Sequence, residues 1–186
     1  MKHLPLIALL ATSLAQAAPV TYDIDPTHTY PSFEADHMGG VSVWRGKLNK
    51  TSGSIVYDKA DGSGSVDMQM DLASIDFGLD ALNAWARGKD FFNVEKNSSA
   101  TFKGRFEGSL PAKLVGELTL NGRTKPVTLT VHQLKCIPHP LYKRELCGAD
   151  ASGSFNRDDF GLGAGKDWGF KMDVNLRIQV EALAKE

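Results

Sequence analysis

The sequence predicts an all-β protein, an antiparallel eight-stranded lipocalin-like barrel with a short helical insert after the fourth strand region. Three observations carry that expectation. Apolar and polar residues alternate with period two over most of the chain, about eight such runs follow one another without a βαβ rhythm, and a single stretch breaks the pattern with helical spacing. An antiparallel sheet of this size must dispose of its edges, and closure does so most completely. A two-sheet sandwich is the alternative.

The first strand region holds Tyr22 and Ile24, with Pro26 and Pro31 beyond it excluding a helix. Phe33, Ala35 and His37 share one face of the next, and Gly39 and Gly40 mark a turn or bulge. Val41, Val43 and Trp44 lead into Gly46, Gly53 breaks the following run, and Ile55 and Tyr57 continue it to an Asp, Gly and Ser cluster over residues 58–64. Val66, Met68, Met70 and Leu72 then alternate with Asp67, Gln69 and Asp71. This is the signature of one buried and one wet face.

Residues 75–94 interrupt the rhythm. Leu79, Leu82, Trp85 and Ala86 recur at helical spacing between Gly78 and Gly88, which predicts about two turns of amphipathic helix. So short a helix is held by packing rather than by its own propensity, and it reads as a lid.

Strands resume with Phe102 and Phe106, turn at residues 108–111, and continue through Leu114, Gly116, Leu118 and Leu120 to Asn121 and Gly122, a dipeptide that favours tight hairpins. Val127, Leu129 and Val131 run back. An extended loop is expected around Pro138 and Pro140, a strand from Ser152 to Phe155, and a Gly-rich loop over residues 161–169. The last strand alternates from Phe170 and Met172 through Val174, Leu176 and Ile178 to Val180. Glycines scattered along the strands suit the bends that closing a barrel requires.

Residues 1–17 read as an export signal, with Lys2, an apolar run to Leu14, and Ala15, Gln16 and Ala17 as a small-x-small cleavage site. Residues 18–186 then form one domain, expected in the periplasm. The formal net charge is −1, and Lys and Arg form no stripe interleaved with aromatics, so nothing points to nucleic acid. Cys136 and Cys147 are the two cysteines; an oxidising compartment favours a disulfide, and their spacing fits neither a redox C-x-x-C nor a zinc pattern. The histidines form no zinc-binding pair and adjoin no nucleophile motif, so no catalytic residue, metal or cofactor is assigned. An enzyme using His28 or His37 as general base stays as the alternative.

The aromatics are more informative. Phe77, Trp85, Phe91, Phe92, Phe160 and Trp168 fall in or beside loops and the insert, where they either seal a packed barrel end or rim an apolar cavity. Met68, Met70 and Met172 add adaptable lining.

Several ordered blocks resemble the YceI-like family of bacterial periplasmic proteins. Tyr22-Asp23-Ile24-Asp25-Pro26-Thr27-His28-Thr29 is similar to the family's Y-x-I-D-P-x-H-S opening, with Phe33, His37, Gly39 and Gly46 continuing it. Ser74-Ile75-Asp76 and Asp90-Phe91-Phe92-Asn93-Val94 resemble S-I-D and D-F-F-D-V. The run from Gly116 to Val127 is similar to G-x-L-T-L-x-G-x-T-K-P-V, and Arg157-Asp158-Asp159-Phe160-Gly161 to R-x-x-F-G. One departure stands out: where the family has R-D-x-H-L in the insert, this chain has Leu82-Asn83-Ala84-Trp85-Ala86.

The resemblance implies a lipocalin-like barrel whose cavity holds a polyisoprenoid lipid or quinone. The ligand-binding residues expected are Phe33, His37, Met70, Phe77, Leu82, Trp85, Phe91, Phe92, Phe102, Phe160, Trp168 and Met172. The partner readings are that lipid, a membrane protein such as a b-type cytochrome that receives a quinone, and a second copy of the chain.

Overall fold

A strand with one apolar face needs a partner on each edge and a covered face, and every strand here except the two-residue β6 segment, which pairs on one edge, finds both in a single closed sheet. The computed structural model describes residues 18–108, 110 and 112–186, so the expected export signal at residues 1–17 lies outside the described residues. Eleven strand segments form, β1 (Val20–Ile24), β2 (Ser32–His37), β3 (Ser42–Leu48), β4 (Thr51–Tyr57), β5 (Gly64–Asp71), β6 (Ile75–Asp76), β7 (Ser99–Glu107), β8 (Ala112–Leu120), β9 (Arg123–Pro138), β10 (Glu145–Asn156) and β11 (Asp173–Ala184), with one helix, α1 (Asp80–Arg87).

These segments make eight staves. β1 and β2 both lie along β11, at Tyr22 to Ile24 against Ala184 to Ala182 and at Ser32 to Ala35 against Arg177 to Val174, so they are two halves of one interrupted strand. β3 and β4 continue each other in the same way beside β2 and β1, and β6 prolongs β5 beside β3. From β5 the order runs β7, β8, β9, β10, β11, and the β1–β11 pairing closes the ring; every pairing is antiparallel. The helix therefore follows the third stave.

The bulge between β1 and β2 is the proline-punctuated segment, and it is fastened rather than free. The Thr29 hydroxyl donates to the Glu181 carbonyl and accepts from the Glu181 N–H, each at 3.1 Å, while the Gln179 amide donates to the His28 carbonyl at 3.0 Å. Buried backbone groups that a bulge leaves unpaired are satisfied this way.

The core lies inside the ring. Val66, Met68 and Met70 from β5, Phe102 from β7, Leu114, Leu118 and Leu120 from β8, and Val127, Leu129 and Val131 from β9 are all buried in one cluster. Each set follows the alternation read from the sequence. Gly104 and Gly116 face each other across β7 and β8. A Cβ on Gly116 would lie 2.2 Å from the Lys103 carbonyl oxygen and 2.8 Å from the Phe102 ring, so only glycine lets these backbones approach beneath that ring.

Two boundaries differ from the expected ones. The strands through the cysteines are longer, β9 reaching Pro138 and β10 starting at Glu145, so the connecting loop shrinks to residues 139–144. Cys136 and Cys147 are directly opposed in this pairing and form a disulfide. Cys, Gly, Ala and Asp at residues 147–150 have little strand propensity of their own; the long neighbouring strands β9 and β11 impose it. Conversely β11 begins at Asp173, and Phe170 and Met172 belong to the preceding loop.

Candidate functional site

Inward-facing residues of a closed eight-stranded sheet either fill the interior or leave room for one small ligand. Here they leave room. The barrel contains a cavity of about 240 Å³, and its wall is apolar almost throughout. Met68, Met70, Phe102, Leu118, Leu129 and Val131 supply the middle of the wall.

The strand directions place α1, the β2–β3 turn, the β8–β9 turn and the long β10–β11 connection at one end, the mouth. The β4–β5, β7–β8 and β9–β10 turns lie at the other.

At the far end the wall becomes polar. Tyr22 is 1% exposed, and its hydroxyl donates to the Glu145 carboxylate, which also accepts from Lys59. Burial first, then the anionic partner, pushes the phenol well above its ordinary range. Burial alone would raise the Glu145 carboxyl, but the hydrogen bonds from Lys59 and Tyr22 outweigh it and hold the group below its ordinary value. The cluster thus carries a tyrosine kept neutral against a paired carboxylate. It closes that end with Tyr57 and Phe106, whose rings meet edge to face at 5.5 Å.

The mouth is aromatic. Trp85 from α1 stacks on Phe91 at 5.0 Å, Phe91 meets Phe92 at 4.7 Å, and Phe33 meets Phe77 at 5.5 Å. Gly46 makes the last contact feasible, since a Cβ there would lie 2.6 Å from the Phe33 ring and 3.1 Å from that of Phe77. The helix is held by an amide together with one member of its apolar stripe, Ala86. Asn83 is buried; its carbonyl oxygen accepts the Phe77 N–H at 2.7 Å and its NH₂ donates to Asp76 at 3.3 Å. With Ala86 also fully covered, the Asn83 and Ala86 face is the buried one, while Leu79 and Trp85 remain substantially exposed. Asp80 in the first turn and Arg87 in the last complement the helix dipole.

One buried charge stands at this end. Arg157 is 7% exposed and donates to the carbonyl oxygens of Leu162 and, at 2.7 Å, Ala164, pinning the loop after β10. Its guanidinium also lies 6.0 Å from the centre of the Phe91 ring. Among the described residues it forms no ion pair. Burial holds its pKa below the ordinary value, against the opposing pull of Asp158 and Asp36. It borders the cavity, as Asp36 does.

Of the residues expected to contact a ligand, Phe33, Met70, Phe77, Trp85, Phe91, Phe92 and Phe102 border the cavity. Five expected with them do not. The His37 imidazole is stacked on Trp44 at 4.1 Å and meets Phe170 edge-on at 4.9 Å, so the rings beside it intervene. Leu82 sits on the partly covered flank of α1. Phe160 is 1% exposed but packs behind Phe155, whose ring is 5.2 Å away and occupies the wall position. Met172 is buried outside the wall, and Trp168 projects outward with 74% of its surface exposed. His28 also lies off the cavity, bonded to Asp25 at 2.7 Å.

The structure adds Tyr22, Asp36, Trp44, Tyr57, Arg157 and Phe170 to the wall. Strand phase could have found Trp44, which shares its face with Gly46 and Leu48, and Tyr22, which shares its own with Ile24. Nothing local marks Arg157 as buried, because its burial depends on where the loop at residues 161–165 folds back.

Comparison with known proteins agrees with this geometry. A UPF0312 protein of Serratia proteamaculans is 33% identical over 182 residues, covering 94% of this chain and 91% of that protein, and one of Shewanella putrefaciens is 30% identical over 96% and 94%. Among solved structures, Burkholderia cenocepacia BcnA superposes with a TM-score of 0.70 at 24% identity, over 86% of this chain and 99% of that one. A polyisoprenoid binding domain from Saccharophagus degradans gives a TM-score of 0.64 at 17% identity, over 89% and 99%. The model of the YceI-like domain matches residues 22–182, from the closed-end tyrosine to the last strand, and the chain belongs to that family.

Proposed function

We propose that this protein is a periplasmic carrier that holds a polyisoprenoid or similar amphiphilic lipid, such as an isoprenoid quinone, in the barrel. The observation that carries the reading is the apolar cavity running from the Tyr22 and Glu145 cluster to an aromatic mouth under α1. A polar metabolite would lose its hydrogen bonds there, whereas a hydrocarbon loses none. Burying about ten methylene equivalents is worth roughly 8 kcal/mol gross, enough for useful affinity after the costs of association. Arg157, the one basic residue among those lining the cavity, is the candidate to meet a polar head at the mouth.

The polyisoprenoid-binding description of the Saccharophagus degradans domain supports the ligand class, and the Cys136–Cys147 disulfide supports an oxidising compartment. The alternative in which His28 or His37 serves as general base gains no support from the cavity, since neither lines its wall.

Native mass spectrometry of the protein purified from a bacterial periplasm tests this. The expected result is an added mass matching a polyprenyl lipid or quinone; a lipid-free protein that takes up neither class would refute it. Pull-down from membranes and sedimentation of the pure protein test the two remaining partner readings, a membrane cytochrome and a second copy.

A further inference from the structure

Among the described residues, six large apolar side chains are left exposed at the mouth, while Leu110, Ile137, Leu141 and Tyr142 are exposed at the far end, away from the opening of the cavity. Met38, Val41 and Val43 flank the β2–β3 turn, Leu79 and Trp85 belong to the start and middle of the α1 segment, and Trp168 tops the β10–β11 connection. Val41 is 79% exposed and Trp168 74%. These come from three separate stretches of chain around one opening.

Two of the three are bound together. The Asp36 carboxylate accepts the N–H of Gly39 at 3.0 Å and of Lys171 at 2.9 Å, and a Cβ on Gly39 would lie 3.1 Å from the Gly169 carbonyl oxygen. The β2–β3 turn and the loop bearing Trp168 therefore move as one rim. Residues 38–43 of that rim read Met-Gly-Gly-Val-Ser-Val, with no charge. Solvent-exposed turns are ordinarily polar, and an apolar tip held in place by a buried-side carboxylate needs a covering phase.

The rim is also continuous with the cavity. Trp168 and Phe170 rings are 6.4 Å apart, Phe170 borders the cavity, and Trp85 is at once 42% exposed and part of the wall. Resting on the proposed lipid-carrier function, we propose that this rim docks on a phospholipid bilayer, with Val41 and Trp168 entering the boundary between head groups and acyl chains, so that the lipid passes to the cavity without crossing water.

A bilayer fits better than a protein surface. A rigid partner would cap the opening through which the ligand leaves, whereas a fluid apolar phase continues the cavity wall. Tryptophan is the side chain that membrane interfaces favour. Two of the cations near the rim are paired within the chain, Arg45 with Glu34 and Lys166 with Asp158. The proposed contact rests on the apolar side chains, so a zwitterionic lipid suffices to test it.

Flotation of the purified protein with phosphatidylcholine vesicles tests the proposal, alongside uptake of a polyprenyl lipid from detergent micelles. Wild-type protein is expected to float, and vesicles of acyl-brominated phosphatidylcholine are expected to quench its tryptophan fluorescence. Val41→Ser combined with Trp168→Ser should lower vesicle partitioning by about ten-fold or more, the loss expected for two exposed apolar side chains, while micelle uptake stays at the wild-type level. Leu141→Ser removes an equally exposed leucine at the far end, 78% exposed, and should change neither readout.

Absence of flotation, or equal flotation of the double variant, overturns the docking proposal. If micelle uptake persists in that case, the carrier function stands without it; if uptake also fails, the carrier function falls separately. A wild-type dimer that the double variant abolishes, with no vesicle binding, would reassign the rim to contact between copies and likewise overturn it.

Discussion

On the proposed carrier function, Trp85 is the side chain through which α1 would cover a bound lipid, and replacing it with alanine separates covering a ligand from holding the fold. It is 42% exposed, so the buried part of its ring is on the order of 100 Å². Part of that area faces Phe91, 5.0 Å away, and part faces the cavity. If half faces a bound chain, its loss removes about 50 Å² of apolar contact, or about 1.2 kcal/mol, and release should quicken roughly eight-fold. The fold should lose less. Asn83 and Ala86, which hold α1, are untouched, and the stacking lost on Phe91 is worth about 0.5 to 1.5 kcal/mol, a few degrees in melting temperature for a domain of this size. Transfer of a preloaded fluorescent polyprenyl lipid to excess detergent micelles measures release without involving a bilayer. Equal release rates for Trp85→Ala and wild type would refute the lid role; faster release with a melting temperature lower by tens of degrees would show that the helix itself had unfolded.

Three further outcomes follow from named interactions. Arg157→Ala leaves the carbonyls of Leu162 and Ala164 without their donor, at about 1 to 3 kcal/mol each, and should lower the urea midpoint without changing the slope. Reducing Cys136–Cys147 should cost about 3 kcal/mol on the chain-entropy account, read as a lower melting temperature with and without a reductant. The Asp25 and His28 pair ties down the β1–β2 bulge and should respond to pH on both sides. The hydrogen bond that His28 donates to Asp25, and the charge of that carboxylate, raise His28 above its ordinary 6.5, so the histidine's contribution is complete below 6.5 and disappears as pH rises through the higher folded value. Burial pulls Asp25 upward, but hydrogen bonds from Thr27 and His28 prevail and lower it below 3.8, so its contribution is present above 3.8 and is lost as pH falls through the folded value. His28→Asn should flatten the loss of stability on the alkaline side near neutrality; an unchanged stability profile would show that the pair does no more than sit at the surface.

The barrel was legible because its signal is local and repeated. Val66 to Met70, Leu114 to Leu120 and Val174 to Val180 each carry period-two alternation, and that period leaves no doubt which residues face inward once a sheet forms. The closing element was legible for the opposite reason, since helical spacing between Gly78 and Gly88 cannot continue a strand. Its orientation was not. Of the expected stripe of Leu79, Leu82, Trp85 and Ala86, only Ala86 is fully buried, and it packs beside Asn83, whose amide meets both Asp76 and the Phe77 N–H.

The sequence by itself therefore determined the fold class, the inward face of most strands, the family and the aromatic character of the opening. Tertiary structure alone decided which aromatics reach the cavity. Phe91 and Phe160 look alike as loop phenylalanines, but Phe155 stands in front of Phe160, whereas Phe91 itself borders the cavity. It also decided that Tyr22 meets Glu145, 123 positions away in the chain, and that Trp168 faces outward beside Gly39 rather than inward. The physical reason is common to these cases. Alternation reports a side chain's face within its own strand, whereas loops and strand ends take their surroundings from segments brought near only when the sheet closes.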